Sequence, residues 1–159
     1  MVKVEHAAEL SHMHPITVSI NLDAPLQRVW DALSDLENQK DWMGDVDSLT
    51  FATDQSQGTG TEMIVATKVG PLRLNDRMLV TAWEPPTRMT VLHQGTVEGT
   101  GEFVLAAIGG ATRLTWTEDL RFPWRLGGGL TAIASRPILA TVWRQNLKRL
   151  RSILDGVAD

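Results

Sequence analysis

The chain has 159 residues, a net charge of −4 and a hydrophobic fraction of 43%, which fit a single globular domain and exclude wholesale disorder. It contains no cysteine, and this excludes a disulfide framework, a thiol nucleophile and a cysteine-ligated metal. No apolar run approaches the roughly 18 residues of a membrane-spanning helix, and an acidic chain has no general attraction for nucleic acid. We therefore expect a cytoplasmic monomer or homodimer, without nucleic-acid binding or stable membrane insertion.

The first 14 residues show no hydrophobic period, although they contain His6, His12 and His14. Because no carboxylate or thiol spacing accompanies these histidines, we interpret residues 1–14 as a flexible leader and not as a metal-binding tail. Residues 15–156 are predicted to form one domain, since no repeat or long linker divides them. The chain also lacks a phosphate-binding loop, zinc spacing and a nucleotide fingerprint, so we predict neither a cofactor nor a metal ion.

The first predicted strand and helix follow the leader. Apolar residues alternate with polar ones from Ile16 to Leu22, which is the period of a half-buried strand. Pro25 suits the first position of a helix, because its missing N–H has no partner there in any case. The apolar face of this helix carries Val29, Trp30 and Leu33. A second short helix is predicted over about residues 38–43.

Six apolar or alternating segments come next, separated by short turns rich in glycine and proline. They are residues 47–53, 61–68, 72–83, 88–94, 101–108 and 112–122. Connections this short join antiparallel neighbours, because parallel strands need a crossover of about a dozen residues or more. Together with the first strand, these segments predict a seven-stranded antiparallel sheet.

The chain ends in a predicted helix over about residues 130–154. About 25 helical residues span roughly 37 Å, and such a helix needs a wide apolar partner for its apolar face. That face carries Leu139, Val142, Trp143, Leu147, Leu150, Ile153 and Leu154. We expect the sheet to curve around this helix and to leave a ligand space between them. Pro137 is expected to kink the helix or to separate a short first segment.

Alternation along the strands places three polar residues on the inward face of the sheet. In the last strand Glu118 shares its side with Trp116 and Leu120, whereas the other side is wholly polar. The same rule puts Asp76 inward, and His93 aligns with two apolar neighbours in its strand. Buried charges without partners are unfavourable in a solid core. This pattern therefore fits a partly wet cavity better than a solid core.

Several segments of the chain resemble a known superfamily. Residues 23–35 read DAPLQRVWDALSD and are followed by Trp42 and Met43. Further matches are the glycines around Thr59, the turn WEPPTR at residues 83–88 and the segment GATRLTW at residues 110–116. Over about residues 16–154 the chain resembles the START and pollen-allergen-like helix-grip superfamily. The similarity is to its polyketide cyclase/dehydrase and lipid-transport-like branch.

The resemblance implies an α+β helix-grip fold. Its parts are a seven-stranded curved antiparallel sheet, a long C-terminal helix inside the curve, and two short helices after the first strand. It also implies an apolar cavity between the sheet and the long helix, which takes lipids, polyketides or similar ligands.

We predict that inward residues of the sheet and helices bind the ligand. They are Trp30, Leu74, Asp76, Met78, His93, Phe103, Trp116, Glu118, Leu139, Val142, Trp143 and Asn146. Asn146, on the apolar helix face, either binds a ligand carbonyl or caps a buried water. Trp83 is predicted to face outward near a turn. The loop glycines Gly127, Gly128 and Gly129 are either a simple helix start or the hinge of a gate at the cavity mouth.

Two main functions remain open from the sequence, together with a third. The first is binding or transport of a small hydrophobic ligand. The second is a polyketide cyclase or dehydratase, in which His93 with Asp76 or Glu118 acts as a base and Asn146 or Arg136 holds an enolate oxygen. In the first case these carboxylates pair with an arginine or with cavity water, and His93 is a wall residue. The third function is an adaptor for a partner protein, which requires a filled core and an exposed apolar patch.

Overall fold

A computed structural model describes residues 11–12, 14–123 and 128–156, with side chains described for residues 14–123 and 135–156. The helices are α1 (Leu26–Ser34), a 3₁₀ helix (Leu36–Asp41) and α2 (Gly128–Leu154). The strands are β1 (Ser11–His12), β2 (Ile16–Leu22), β3 (Val46–Phe51), β4 (Glu62–Val69), β5 (Leu72–Glu84), β6 (Arg88–Gln94), β7 (Glu98–Ile108) and β8 (Ala111–Phe122).

The strands form one antiparallel sheet in the order β3-β4-β5-β6-β7-β8, and both β1 and β2 pair with the free edge of β8. Ile16 lies opposite Glu118 and Leu22 lies opposite Thr112. The predicted curved seven-stranded sheet is thus confirmed. The two residues of β1 come from the segment predicted to be a leader.

Helix α1 buries Val29, Trp30 and Leu33 between the sheet and α2. Pro25 is the cap residue before the helix and not its first residue, and its carbonyl accepts the N–H groups of Arg28 and Val29. The predicted first residue of the helix is therefore one residue too early. The second short helix is a 3₁₀ helix that begins two residues before the predicted start.

Helix α2 is continuous from Gly128 to Leu154 and includes Pro137, so the predicted separation of a short first segment is wrong. It packs mainly against β2 and β8. Within its described side chains, the predicted apolar face is buried at Trp143 and at the leucines that follow, whereas Ile153 is 48% exposed. None of the described helices contains a segment long and apolar enough to cross a membrane.

The alternation of β5 changes part of the way along the strand. The register with β6 shifts between Val80 and Ala82, which is the effect of a β-bulge. As a result Trp83 turns toward the core and meets Trp30 edge-on, with ring centroids 5.4 Å apart. The prediction that Trp83 faces outward is wrong, because the bulge interrupts the strict alternation of sides along the strand.

Candidate functional site

A cavity of about 400 Å³ lies between the concave face of the sheet and α2. Its volume falls within the range of about 300–1,000 Å³ that is usual for small-molecule sites. The sheet contributes inward residues of β4 to β8, and α2 contributes residues from Ser135 to Trp143. The apolar lining includes Leu36, Met43, Met63, Val65, Leu74, Met78, Val91, Phe103, Leu120, Phe122, Leu139 and Trp143.

The mouth of the cavity lies between the turn that joins β4 to β5 and the first half of α2. Leu72, just after this turn, and Ile138 on α2 both line the cavity, yet they are 37% and 56% exposed. Of the predicted gate, Gly128 and Gly129 are the first two residues of α2, and Gly127 lies outside the described residues. The gate therefore stays a prediction.

Three polar side chains meet on the inner face of the sheet. Asp76, His93 and Glu118 all line the cavity, and the two acidic residues are only 4% and 5% exposed. The sequence predicts each of these orientations from strand alternation. Adjacent strands bring the three residues together. His93 on β6 pairs with Met78 on β5, which lies two residues after Asp76. Gly101 on β7 pairs with Val91 on β6 and with Glu118 on β8.

Glu118 is held by its neighbours in β7 and β8. The indole N–H of Trp116 donates a hydrogen bond of 2.8 Å to its Oε1. Oε2 lies 3.1 Å from Nε2 of His93, which is an ion-pair distance, but it receives no hydrogen bond of regular geometry from the described residues. Gly101 faces this carboxylate, and a Cβ there would lie 2.5 Å from Oε1. Because Gly101 has no side chain, the buried carboxylate of Glu118 can occupy this space.

Asp76 is held in a similar way by the loop after β6. The backbone N–H of Thr96 donates a hydrogen bond of 2.7 Å to its Oδ1. Gly95 packs against the same oxygen, and a Cβ at this position would lie 2.1 Å from it. Two glycines thus lie against the two buried carboxylates, although strand alternation alone does not reveal this arrangement.

The carboxylates set the proton affinity of His93. Burial of the imidazole opposes its charged form, but the charge of Glu118, the contact with Glu118 and the charge of Asp76 outweigh that effect. The net result is that the pKa of His93 is raised above its ordinary value. The charged form of the imidazole is thus favoured more than in a histidine free in water.

Asp45 is a fourth titratable residue on the cavity wall, and it is absent from the residues predicted from the sequence. Its Oδ1 accepts a hydrogen bond of 2.6 Å from Nδ2 of Asn146. Burial raises the pKa of Asp45, and the charge of Glu118 adds to the increase. Asp45 lies in the loop between the 3₁₀ helix and β3, where no alternation shows which way a side chain points.

Three predicted binding residues do not line the cavity: Trp30, Val142 and Asn146. Trp30 packs against Trp83 in the core. Asn146 is fully buried, and its Oδ1 accepts the N–H of Gly44 at 3.0 Å. Its amide therefore fixes the loop beside the 3₁₀ helix to α2 instead of facing a ligand. Arg136, a candidate donor, binds the backbone carbonyls of His14 and Pro15.

The other nine predicted residues lie on the cavity wall. They are Leu74, Asp76, Met78, His93, Phe103, Trp116, Glu118, Leu139 and Trp143. Among the described residues, no group of three or more His, Asp or Glu side chains has an arrangement that could hold a metal ion. Asp76, His93 and Glu118 form a polar cluster on this largely apolar wall.

Residues 13–155 match the sequence profile of the family described as polyketide cyclase / dehydrase and lipid transport. The chain belongs to this family. Membership covers nearly the whole chain and includes every strand and helix that borders the cavity. Proteins with curated descriptions yielded no match.

Solved structures with the same fold come from several bacteria. A protein of Thermus thermophilus has a TM-score of 0.79 and 19% identity, with 92% of this chain and 100% of that chain covered. A START superfamily protein from Mycobacterium smegmatis has a TM-score of 0.73 and 11% identity, with 93% of this chain and 100% of that chain covered. The Zhui aromatase/cyclase of a Streptomyces species has a TM-score of 0.68 and 15% identity, with 89% of this chain and 96% of that chain covered. At these identities the likeness concerns the fold, which is that of the START-like helix-grip superfamily.

Proposed function

We propose that this protein binds or carries one small hydrophobic molecule in the cavity between the sheet and α2. The observation that carries the proposal is a space of about 400 Å³ with a largely apolar lining, on which Asp76, His93 and Glu118 form a polar cluster. Transfer of apolar surface from water to such a lining favours binding by about 25 cal/mol per Å². The cluster of Asp76, His93 and Glu118 then orients the polar group of the ligand.

The family supports this proposal, because its description includes lipid transport. The adaptor alternative requires a filled core, and the cavity removes that premise. Native mass spectrometry of the purified protein tests the proposal, since a molecule retained in the cavity adds its own mass to the intact chain.

A cavity-filling variant gives a second test. Leu139→Trp places a large ring at a position on the cavity wall, whereas Ile153→Trp places the same ring on the exposed side of the same helix. We expect Leu139→Trp to weaken binding of the neutral dye Nile red by about tenfold or more, which corresponds to about 1.4 kcal/mol. Ile153→Trp is expected to bind as the wild type does. Equal binding by both variants would show that the ligand lies elsewhere.

The gate predicted from the glycines belongs to the same proposal. Gly128 is the first residue of α2, a position that accepts proline readily. If the residues before α2 act as a hinge, Gly128→Pro restricts that hinge and slows dye exchange in stopped-flow measurements, with equilibrium affinity changed less. Unchanged association and dissociation rates would remove the gate from the proposal.

A cyclase or dehydratase activity is the second candidate, and the contact of His93 with Glu118 at 3.1 Å favours it. In a dehydration, the carboxylate of Glu118 or Asp76 takes a proton from the carbon next to a ketone, and the hydroxyl group one carbon further leaves as water after it receives a proton from the charged imidazole of His93. The product is a conjugated enone, and no oxidant or reductant is needed.

This activity is tested with a simple β-hydroxy ketone that carries a phenyl ring. Enone formation is followed by ultraviolet absorbance, and His93→Gln is compared with the wild type. A loss of about 100-fold or more in rate, with the affinity for the ketone unchanged, supports catalysis. No rate above that of buffer in the wild type would leave binding as the function.

A further inference from the structure

The 3₁₀ helix places a buried amide on the cavity wall. Gln39 lines the cavity and is only 8% exposed. Its side-chain amide forms no hydrogen bond with any group of the described residues. Leu36 shares a face with Gln39, because a 3₁₀ helix has about three residues per turn, and Leu36 also lines the cavity. Gln39 thus lies on the face of the 3₁₀ helix that borders the cavity.

The other buried polar residues of the described chain each form at least one side-chain hydrogen bond within the protein. They are Thr61, Asp76, Thr112, Glu118 and Asn146. Buried polar groups are nearly always satisfied, and an unsatisfied one is costly. Gln39 is therefore the exception among the described residues, and the cavity that it lines has room for a partner.

A hydroxyl group on β4 adjoins the segment that carries Gln39. Thr67 lines the cavity, and its hydroxyl also has no hydrogen bond within the described residues. The N–H of Met43 donates to the carbonyl of Gln39 at 3.0 Å, and the N–H of Val46 donates to the carbonyl of Met43 at 3.1 Å. Val46 in turn lies opposite Thr67 in the pairing of β3 with β4. Uncharged hydrogen-bonding groups therefore occupy this part of the wall.

Aromatic rings border the same segment. The ring of Trp42, the residue after the 3₁₀ helix, lies 6.3 Å from that of Phe103 and 6.2 Å from that of Trp116, measured between centroids. Phe103, Trp116 and Trp143 line the cavity. Flat apolar groups stack on such rings. A ligand that has a ring and an uncharged polar group matches both features.

The amide of Gln39 limits what that polar group can be. It offers an acceptor oxygen and an NH₂ donor side by side. A ketone or a carboxylate can only accept from the nitrogen, and an ammonium group can only donate to the oxygen. A carboxamide or a lactam presents a donor beside an acceptor, so it can satisfy both halves of the side chain.

We propose that Gln39 determines specificity by binding a carboxamide or lactam group of a ring-bearing hydrophobic ligand. The proposal rests on the proposed function of ligand binding and adds a polar contact outside the cluster of Asp76, His93 and Glu118. The N–H of each amide donates to the carbonyl of the other, and the aromatic rings accept the apolar part of the ligand.

Three compounds test the proposal by isothermal titration calorimetry. Naphthylacetamide carries the carboxamide, naphthylacetone has nearly the same shape but only an acceptor, and ethylnaphthalene has no polar group. With the wild-type protein we expect naphthylacetamide to bind about tenfold or more tightly than naphthylacetone, because the ketone leaves the oxygen of Gln39 without a donor. Binding of the ketone equal to or tighter than that of the amide would overturn the proposal while it upheld hydrophobic ligand binding.

The variant Gln39→Leu locates the effect. It should reduce the preference for naphthylacetamide over naphthylacetone by about tenfold and leave the affinity for ethylnaphthalene unchanged or higher. Gln145→Leu is the matched control, because it makes the same change at an exposed residue of α2 and should keep the wild-type preference. A preference that survives Gln39→Leu would overturn the assignment to Gln39.

Two further outcomes separate this proposal from the one on which it rests. The wild-type ratio of the amide to the ketone decides the class of ligand even if Gln39→Leu does not fold. Failure of all three compounds and of Nile red to bind would instead overturn the proposed function.

Discussion

His93 links the charge of the cavity to the stability of the fold. Its pKa in the folded protein is raised above the ordinary value of 6.5, with Glu118 and Asp76 outweighing burial. The stabilisation from its charged form is therefore fully present below about pH 6.5 and is lost as the pH rises through the folded pKa. We expect His93→Gln to destabilise the protein more at about pH 6 than at about pH 9, as measured by urea unfolding.

His14→Gln is the control for this experiment, because His14 is exposed. Its unfolding free energy should follow that of the wild type at every pH. A destabilisation by His93→Gln that does not vary with pH would show that the imidazole acts only through packing.

Asn146 gives a second prediction at the scale of the residue. Its Oδ1 accepts the N–H of Gly44, and its Nδ2 donates to Asp45. Asn146→Leu removes these two hydrogen bonds and a longer one of 3.5 Å from Arg149, so we expect a loss of about 1–3 kcal/mol in the free energy of unfolding. Gln145→Leu changes the neighbouring exposed residue and should have little effect. A stable Asn146→Leu protein with altered ligand preference would instead restore Asn146 as a ligand contact.

The period of a strand predicts the orientation of Asp76 and Glu118 correctly, because each side of a strand alternates along the sequence. The same reasoning is less reliable on the helices. The apolar face of α2 contacts both the cavity, at Leu139 and Trp143, and the loop near Gly44, at Asn146. A helical period shows which face is buried, but it does not show what each turn is buried against.

Among the strands, β7 carries a constraint that only the structure reveals. The sequence pattern predicts a turn at Gly99, yet this residue lies within β7 with a φ of 140°. A Cβ there would lie 2.0 Å from the backbone carbonyl oxygen of Asp119. We expect Gly99→Ala to destabilise the protein by about 1–3 kcal/mol, measured by thermal or urea unfolding.

Gly110→Ala is the matched substitution in the same region. Gly110 lies in the turn between β7 and β8, and a Cβ there meets no atom within 4 Å. Its free energy of unfolding should stay close to that of the wild type. Equal effects of the two substitutions would indicate that the backbone of β7 relaxes around Gly99.

From β4 to β8, most strand ends lie within two residues of a Gly or Pro in the adjoining turn, so the turn residues of the sequence predict these boundaries well. Two features of the elements are not predictable in this way. The bulge of β5 near Val80 adds no distinctive residue, so the sequence pattern does not predict it. Pro137 favours a break in α2, but packing against the sheet supports a continuous helix.

At the scale of the whole molecule, an occupied cavity should stabilise the fold. A ligand at a concentration of about 100 times its Kd adds about 2.7 kcal/mol to the free energy of unfolding. For a domain of this size that corresponds to an increase of roughly 5–10 °C in Tm. Differential scanning fluorimetry with ethylnaphthalene or naphthylacetamide measures the shift, and Leu139→Trp should show little of it. An unchanged Tm in the wild type at saturating ligand would contradict binding to the folded state.

The pairing of β2 with β8 has a consequence for synthesis on the ribosome. Strand β2 finds its partner in residues 112–118, almost a hundred residues later in the chain. At translation rates of about 5–20 residues per second, its apolar side waits several seconds before that partner emerges. Residues 16–22 are therefore where we expect a nascent-chain chaperone to bind, and release should coincide with the appearance of β8.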